Sequence, residues 1–230
     1  MTNDWMRHKN FHKDRFLLLF SCKLCTFVPF NVSYFIMKTD IILAGVGGQG
    51  ILSIATVIGL AAVNNHLNIK QAEVHGMSQR GGAVYSHLRL SDQPIASDLI
   101  PLAKADVVLS VEPMEALRYL PYLKPDGWLV TNTQPFINIA NYPDWQLLLE
   151  QLNLLSNRVL VDADALASEC GNTKASNMVM LGAAVPFLSM DIHEMEKAII
   201  SIFEQKGENI VATNIRALQA GYDYAMKSKN

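Results

Sequence analysis

The sequence predicts an α/β protein with three layers (αβα), a mixed but mostly parallel sheet, a Rossmann-like start and a helical C-terminal third. Short apolar runs alternate with helical patterns from residue 40 onward. A glycine-rich turn follows the first apolar run, and the last third shows only helical periodicity. Half of the 230 residues are apolar, which suits one sizeable domain.

The first half of this pattern contains three strands and one helix. Residues 41–44 are a continuous apolar run, as in a buried parallel strand, and residues 49–64 predict a deeply packed helix because they carry no charge. Residues 69–74 predict the second strand. Residues 83–90 alternate apolar and polar, which indicates a third, partly solvated strand. Only eight residues, 75–82, join the second and third strands, so these two pair antiparallel or separate.

The second half adds three strands and six helices. The predicted strands are residues 105–111, 128–132 and 158–161. The predicted helices are residues 113–120, 145–152, 162–169, 173–188, 192–205 and 214–227. Residues 125–127, Pro-Asp-Gly, predict a turn. Pro186 predicts the end or a kink of its helix, and Asp191 with Glu194 predicts a capping box.

Composition excludes several classes of protein. The net charge is −2, so no nucleic-acid-binding surface is predicted. Cys170 is the only cysteine after residue 36 and cannot form an internal disulfide there, which favours a reducing, cytoplasmic compartment. Cys22 and Cys25 have a C-x-x-C spacing but lack a second pair, and the six histidines show no ligand spacing, so no metal site is predicted.

Residues 1–36 differ from the rest of the chain. They hold five basic and two acidic residues, whereas the remainder has an acidic excess. The apolar run 16–20 is too short to span a membrane and lacks a signal-peptide cleavage pattern, so no membrane association is predicted. We expect residues 37–230 to form a single domain and residues 1–36 to be an extension, disordered or upstream of a natural start at Met37.

The first motif with chemical meaning is GVGGQG at residues 45–50. It lies between a predicted strand and a predicted helix, which is the context that the G-x-G-x-x-G pattern requires. Its glycines allow a tight turn, and the helix N-terminus offers unpaired N–H groups to an anion. The alternative is a turn that only packs the helix on the sheet. A dinucleotide site also wants an acid at the tip of the second strand. Glu73 has the expected spacing, but the chain then enters a second glycine-rich segment.

That second motif is HGMSQRGG at residues 75–82. The first two strands are joined through a helix, so we expect them to be parallel neighbours whose carboxyl ends lie at one edge of the sheet. The two glycine-rich loops should then converge. Arg80 would supply a planar fork for phosphate or carboxylate, with His75, Ser78 and Gln79 as further hydrogen-bonding groups.

The two motifs together resemble the gamma-type domain of the 2-oxoacid:ferredoxin oxidoreductases. Asp162-Ala-Asp164 and the helix from Asn177 to Ala183 are also similar to that family, and the resemblance extends from Met37 to about Lys227. Within the family, the chain looks closest to the beta subunit of indolepyruvate oxidoreductase.

The resemblance implies a reaction that this chain does not perform alone. The family decarboxylates a 2-oxoacid on thiamine diphosphate, passes electrons through iron–sulfur clusters to ferredoxin, and forms an acyl-CoA in amino-acid catabolism. The chain lacks the cluster cysteines and the thiamine diphosphate signature. The resemblance therefore implies a larger alpha subunit that carries thiamine diphosphate, Mg²⁺ and the clusters, with coenzyme A as co-substrate and no cofactor or catalytic residue on this chain alone.

We expect this chain to complete the active-site wall and to contact phosphates of coenzyme A. The expected binding residues are Gly45, Gly47, Gly48, Gln49, Gly50, His75, Gly76, Ser78, Gln79, Arg80, Gly81, Gly82 and Asn177. Asp162 and Asp164 are either a functional carboxylate pair or capping and solvated groups. The methionines at 77, 178 and 180 are expected to pack. Two alternatives remain: an independent NAD(P)-dependent oxidoreductase, and a non-catalytic binding module.

Overall fold

The computed structural model describes residues 37–75, 81–137 and 139–228. The strands are β1 (Lys38–Val46), β2 (Asn68–His75), β3 (Ala83–Ser91), β4 (Ala105–Ser110), β5 (Leu123–Asn132) and β6 (Arg158–Val161). The helices are α1 (Ile51–Asn64), α2 (Pro113–Tyr119), α3 (Trp145–Asn153), α4 (Ala163–Glu169), α5 (Ser176–Ala184), α6 (Ile192–Phe203) and α7 (Glu208–Ser228). The expectations for residues 1–36, Cys22 and Cys25 included, lie outside the described residues.

The six strands form one mixed sheet in the order β2-β3-β1-β4-β5-β6. The pairs β1–β4, β4–β5 and β5–β6 are parallel. β3 pairs antiparallel with both β1 and β2, which confirms the inference drawn from the short link between the second and third strands. The sheet is therefore mixed and mostly parallel, as predicted.

Helices cover both faces of the sheet, which confirms the three-layer prediction. On one face, Ile41 and Leu43 of β1 pack in a large core with α1, α5, α6 and α7. On the other face, Ile42 of β1 packs in a smaller core with Ala116 of α2 and Leu152 of α3. Adjacent β1 residues thus enter different cores, because successive side chains of a strand point to opposite faces.

The ends of several helices follow their local sequence signals. Pro113 occupies the first turn of α2, and α5 ends at Ala184, just before Pro186, in a short 3-10 turn. The Asp191 side chain accepts a hydrogen bond from the His193 amide and caps α6. The reciprocal half of the predicted capping box is wrong, since the Glu194 carboxylate instead accepts from Asn65 and Lys197.

Three sequence expectations about the order and limits of elements are wrong. β1 and β2 are not neighbours, because β3 lies between them. The predicted turn at residues 125–127 is part of β5, where a register shift against Ala105 and Val107 of β4 accommodates the extra residues. The last helix begins at Glu208, six residues earlier than predicted, since Gly207 marks its start with φ 103°.

In the part of the chain that the structure describes, no helix combines the length and the apolar character that crossing a bilayer requires.

Candidate functional site

The carboxyl ends of β1, β4, β5 and β6 lie at the same edge of the sheet, because these strands are parallel and paired in register. Ala44 pairs with Ser110, Ser110 with Thr131, and Asn132 with Val161. The chain leaves β1 through α1 toward β2 on one side, whereas β5 and β6 continue on the other side of β4. The gap between the ends of β1 and β4 is therefore the point where the strand order reverses, and open α/β sheets bind ligands at such points.

The first glycine-rich loop lies at this point. Gly50 adopts a left-handed conformation (φ 82°) and is the N-cap of α1, and no side chain caps the helix. The predicted helix therefore starts at Ile51 rather than at Gln49. The Gln49 side chain folds back, so that its Oε1 accepts a 2.8 Å hydrogen bond from the Val46 amide. Gly45 is held against Val111 so closely that a Cβ at this position would lie 2.4 Å from Val111 Cγ2.

The second glycine-rich loop joins the first through its last two residues. The Gly47 amide donates to the Gly82 carbonyl at 2.9 Å, and the Gly81 amide donates to the Gly47 carbonyl at 3.4 Å. The prediction that the two loops converge is thus confirmed for Gly47, Gly81 and Gly82, although β1 and β2 are not adjacent. The two loops still converge, because the carboxyl ends of β1 and β2 and the amino end of β3 lie at the same edge of the sheet. Gly76, Ser78, Gln79, Arg80 and Met77 lie outside the described residues, as does the side chain of His75.

Asn177, from the first turn of α5, approaches the first loop from the other side. Its Nδ2 donates to the Gly50 carbonyl at 3.4 Å. A Cβ on Gly50 would lie 2.5 Å from the same Nδ2. The structure thus brings Asn177 to the glycine-rich loop, one of the two positions that the sequence left open, the other being a local bond or cap; its part in binding stays a prediction.

A cavity of about 230 Å³ opens beside these residues. Its walls come from the loops that follow β1, β4 and β5, from α4 and from the N-terminal half of α5. The lining residues are Gln49, Val111, Asn132, Gln134, Pro135, Phe136, Asp164, Ser176, Asn177 and Met180. We call this space the site cavity.

Hydrogen bonds between side chains hold the polar wall of the site cavity. Asn132 is almost fully buried, and its Oδ1 accepts from the amides of Gln134 and Ala163, while its Nδ2 donates to Asp164 at 3.3 Å. Asp162 caps α4 through the Ala165 amide and accepts a 2.8 Å bond from Gln134 Nε2. Of the two carboxylates considered in the sequence, Asp162 is therefore a cap, and Asp164 lines the cavity.

The chemistry of this lining sets what the site cavity can hold. Four side-chain amides and one hydroxyl provide donors and acceptors, and Asp164 is the only ionisable group among the ten lining residues. Among the described lining residues, a phosphate would meet a carboxylate and no cation. The cavity walls thus suit an uncharged group with hydrogen-bonding capacity, whereas an anion is better placed at the glycine-rich loops.

A buried carboxylate lies behind the cavity wall. Glu112, two residues after the end of β4, is fully buried and caps α2 through the Glu115 amide at 2.9 Å. The Tyr142 hydroxyl also donates to Glu112. Burial and this hydrogen bond raise the pKa of Tyr142, and burial also raises the pKa of Glu115, to which the neighbouring Glu112 charge contributes.

Sequence reasoning missed several residues at this edge. Asn132 and Gln134 belong to the polar run TNTQ that follows a buried strand, and this run is a usable signal because the carboxyl ends of parallel strands meet at one edge. Glu112 also follows a strand, but its burial cannot be read from local pattern. Met180 is buried as predicted and in addition lines the site cavity.

The order of strands in this sheet argues against the alternative of an NAD(P)-binding site. In a dinucleotide-binding fold, the acid that binds the ribose follows a strand adjacent to the glycine-rich turn. Here β3 separates β2, which carries Glu73, from β1. At about 4.8 Å per strand, Glu73 lies on a strand about 10 Å from β1.

Comparison with known proteins gives a consistent family assignment. The family model described as pyruvate ferredoxin/flavodoxin oxidoreductase matches residues 40–224. The indolepyruvate oxidoreductase subunit IorB of Archaeoglobus fulgidus is 36% identical over 202 residues, which cover 84% of this chain and 98% of that protein.

Two solved structures have the same fold. The pyruvate oxidoreductase subunit PORC of Thermotoga maritima has a TM-score of 0.63 at 22% identity, with 81% of this chain and 96% of that chain covered. The 2-oxoglutarate:ferredoxin oxidoreductase of Magnetococcus marinus, solved with 2-oxoglutarate, coenzyme A and succinyl-CoA bound, has a TM-score of 0.67 at 21% identity. That match covers 83% of this chain and 31% of the longer chain.

Proposed function

Because this chain belongs to the pyruvate ferredoxin/flavodoxin oxidoreductase family and is a small subunit of a 2-oxoacid:ferredoxin oxidoreductase, we propose that the 2-oxoacid is indolepyruvate or a related arylpyruvate. The products are then an arylacetyl-CoA, CO₂ and reduced ferredoxin. The 36% identity to an indolepyruvate oxidoreductase subunit over nearly its whole length supports this substrate.

The cofactors of this reaction belong to a larger alpha subunit. An iron–sulfur cluster is usually held by four thiolates, and the whole chain has three cysteines, of which Cys170 alone lies in the described part. The residues present thus do not fit a cluster, and the sequence offers no thiamine diphosphate signature. Thiamine diphosphate with Mg²⁺ and the clusters therefore reside on the partner, which also passes electrons to ferredoxin.

This chain contributes residues that line the binding site for coenzyme A. The observation that carries the proposal is the hydrogen-bonded junction of Gly47 with Gly82 at the reversal point of the sheet, beside an α1 N-terminus without a side-chain cap. Backbone N–H groups and a partial positive charge at such a helix start favour an anion. We assign a phosphate of coenzyme A to these loops, with Arg80 as its cationic partner, and an uncharged part of the same molecule to the site cavity.

The test is reconstitution with the larger subunit. The purified complex is assayed for coenzyme A-dependent reduction of ferredoxin with indolepyruvate, phenylpyruvate, pyruvate, 2-oxoglutarate and a branched-chain 2-oxoacid. We expect the highest kcat/KM for the arylpyruvates and no activity from either chain alone. A preference for pyruvate or 2-oxoglutarate would refute the proposed substrate.

Two further measurements address the site and the alternatives. Arg80→Ala should raise the KM for coenzyme A about tenfold, as expected for a lost charge-assisted contact. An Arg80→Ala complex with unchanged kinetics would leave only a non-catalytic or purely architectural role for this loop. Protection of the isolated chain against thermal unfolding by NADH or NADPH would instead support an independent dehydrogenase.

A further inference from the structure

The carboxylate of Glu112 lies fully buried behind the wall of the site cavity. An ion removed from water is tolerated only when hydrogen bonds replace its hydration. Three donors among the described residues bind it. The Glu115 amide binds Oε2 at 2.9 Å, whereas the Phe136 amide, at 3.4 Å, and the Tyr142 hydroxyl both bind Oε1.

Two of these three donors come from the segment that links β5 to α3, described at residues 133–137 and 139–144, which we call the rim loop. If the rim loop moved away, Glu112 Oε1 would lose these two donors, and water would have to replace them. The position of the rim loop is therefore coupled to the burial of this carboxylate. The Tyr142 hydroxyl is protonated, and so able to donate, throughout the neutral pH range, because burial raises its pKa further above its ordinary value of 10.

The first part of the rim loop forms one wall of the site cavity. Gln134, Pro135 and Phe136 all line it. At the start of the loop, Gln134 is held by Asn132 and Asp162. Farther along, at Phe136 and Tyr142, the loop is held by Glu112. The Phe136 side chain is 44% exposed, so its contacts with neighbouring side chains alone do not fix it in place.

We propose that Glu112 is a positioning residue: through the Phe136 amide and the Tyr142 hydroxyl it holds the rim loop as a wall of the site cavity, and it thereby sets the affinity of the complex for the co-substrate. The proposal rests on the proposed function, in which part of coenzyme A enters this cavity. Glu112 itself does not line the cavity, so its effect passes through the rim loop.

The decisive variant is Tyr142→Phe, which removes one hydroxyl and leaves the ring. Tyr224→Phe is a matched control, because it also removes a phenolic hydrogen bond, to the Leu160 carbonyl, at a place where α7 meets β6. In the reconstituted complex we expect Tyr142→Phe to raise the KM for coenzyme A about five- to tenfold with kcat within about twofold, and Tyr224→Phe to change neither. An unchanged KM in Tyr142→Phe overturns the proposal.

Calorimetric titration of the resting complex with coenzyme A separates this proposal from the proposed function, because it needs no turnover. A wild-type complex that neither reacts nor binds coenzyme A refutes the proposed function. A wild-type complex that binds coenzyme A no more tightly than the Tyr142→Phe complex refutes only the positioning role. Hydrogen exchange of the peptide containing Phe136 should rise in Tyr142→Phe and not in Tyr224→Phe; equal exchange also counts against the proposal.

A double-mutant cycle tests whether Tyr142 acts through the wall. Phe136→Ala removes the largest side chain that the rim loop contributes to the wall and should raise the dissociation constant by itself. Adding Tyr142→Phe should then raise it by less than it does in the wild type, because the main contact that Tyr142 positions is already missing. Fully additive effects would contradict this route. Glu112→Gln, which keeps a carbonyl oxygen for the Tyr142 hydroxyl, should retain more affinity than Glu112→Ala.

Discussion

Asn177 at the start of α5 lies directly against Gly50 at the start of α1, so that a Cβ on Gly50 would come within 2.5 Å of the amide nitrogen of Asn177. The two helix starts therefore meet without room for a side chain between them. This contact places the N-terminal half of α5, which lines the site cavity, next to the glycine-rich loop. The same pair gives the first prediction.

Gly50→Ala should destabilise the protein for two separable reasons. Gly50 has φ 82°, a conformation that costs an alanine about 1–2 kcal/mol, and the new methyl group meets Asn177. In an Asn177→Ala background the two closest contacts, with Nδ2 and Cγ, are removed and only the Cβ at 3.3 Å remains, whereas the backbone part is unchanged. We therefore expect Gly50→Ala to lower the free energy of unfolding by about 1 kcal/mol less in that background than in the wild type. Urea denaturation of the four proteins measures this, and strictly additive losses would show that Asn177 is not the obstacle.

The sequence predicted this loop because its signals are local. A strand, a glycine pattern and a helix follow one another along the chain, and each constrains the next. The order of strands in the sheet, in contrast, is not set by local signals. The eight residues between the predicted second and third strands required an antiparallel pair or none, but no residue indicates that β3 also pairs with β1. The prediction that β1 and β2 are adjacent assumed that two strands joined through a helix are neighbours. That assumption fails here because β3 lies between them.

The site cavity was only partly predictable for a similar reason. Among the lining residues, Gln49 was expected from the glycine-rich pattern and Asn177 from the family resemblance of its helix. Glu112, behind the cavity wall, was not expected. A single acid after a strand is more often solvated, and its burial depends on Tyr142, thirty residues farther along the chain. Such a contact between distant segments leaves no periodic trace in either one.

The close crossing of α5 and α7 gives the second prediction. A Cβ on Gly182 would lie 1.9 Å from the Leu218 carbonyl oxygen, and a Cβ on Gly221 would lie 1.9 Å from that of Val179. Because backbone blocks both positions, Gly182→Ala and Gly221→Ala should each cost about 3 kcal/mol or more of stability.

Gly59→Ala, in α1, is the matched control for this pair. It is the same substitution in a helix, but its new methyl group meets only the end of the Ile69 side chain at 3.1 Å. Alanine favours a helix over glycine by about 1 kcal/mol, so this variant should be neutral or slightly more stable. The midpoints of urea denaturation check the comparison; equal losses in Gly59→Ala and Gly182→Ala would contradict it.

The third prediction concerns the two cations that pair with Asp40, whose side chain is fully buried. Arg89 binds both carboxylate oxygens, at 2.7 and 3.0 Å, and also donates to the carbonyls of Ser97 and Leu99. Lys38 binds the same carboxylate at 2.7 Å, but its side chain is half exposed. Arg89→Ala should cost about 3 kcal/mol, because it leaves a buried charge without its main partner. Lys38→Ala should cost no more than about 1 kcal/mol. Similar losses in thermal denaturation of the two variants would show that the fork geometry of Arg89 adds nothing.

The fourth prediction is a pH dependence that originates at His87. Burial lowers the pKa of His87 below its ordinary value of 6.5; Asp98 opposes this shift and Arg89 adds to it. Its Nδ1 accepts the Ile100 amide at 3.2 Å, which requires the unprotonated nitrogen. As pH falls through about 6.5, the unfolded chain therefore binds a proton that the folded chain refuses, and stability is lost until the lower, folded-state pKa is passed.

His87→Asn keeps an acceptor near the position of Nδ1 but does not titrate in this range. It should be less stable at every pH, because the ring contacts with Tyr85 and Tyr122 are lost. However, its melting temperature should fall less between pH 7.5 and 5.5 than that of the wild type. Glu115, whose pKa burial raises, contributes with the opposite sign in both proteins, so the difference between the two curves isolates His87. Parallel curves would mean that the His87 imidazole is protonated as readily in the fold as in the unfolded chain.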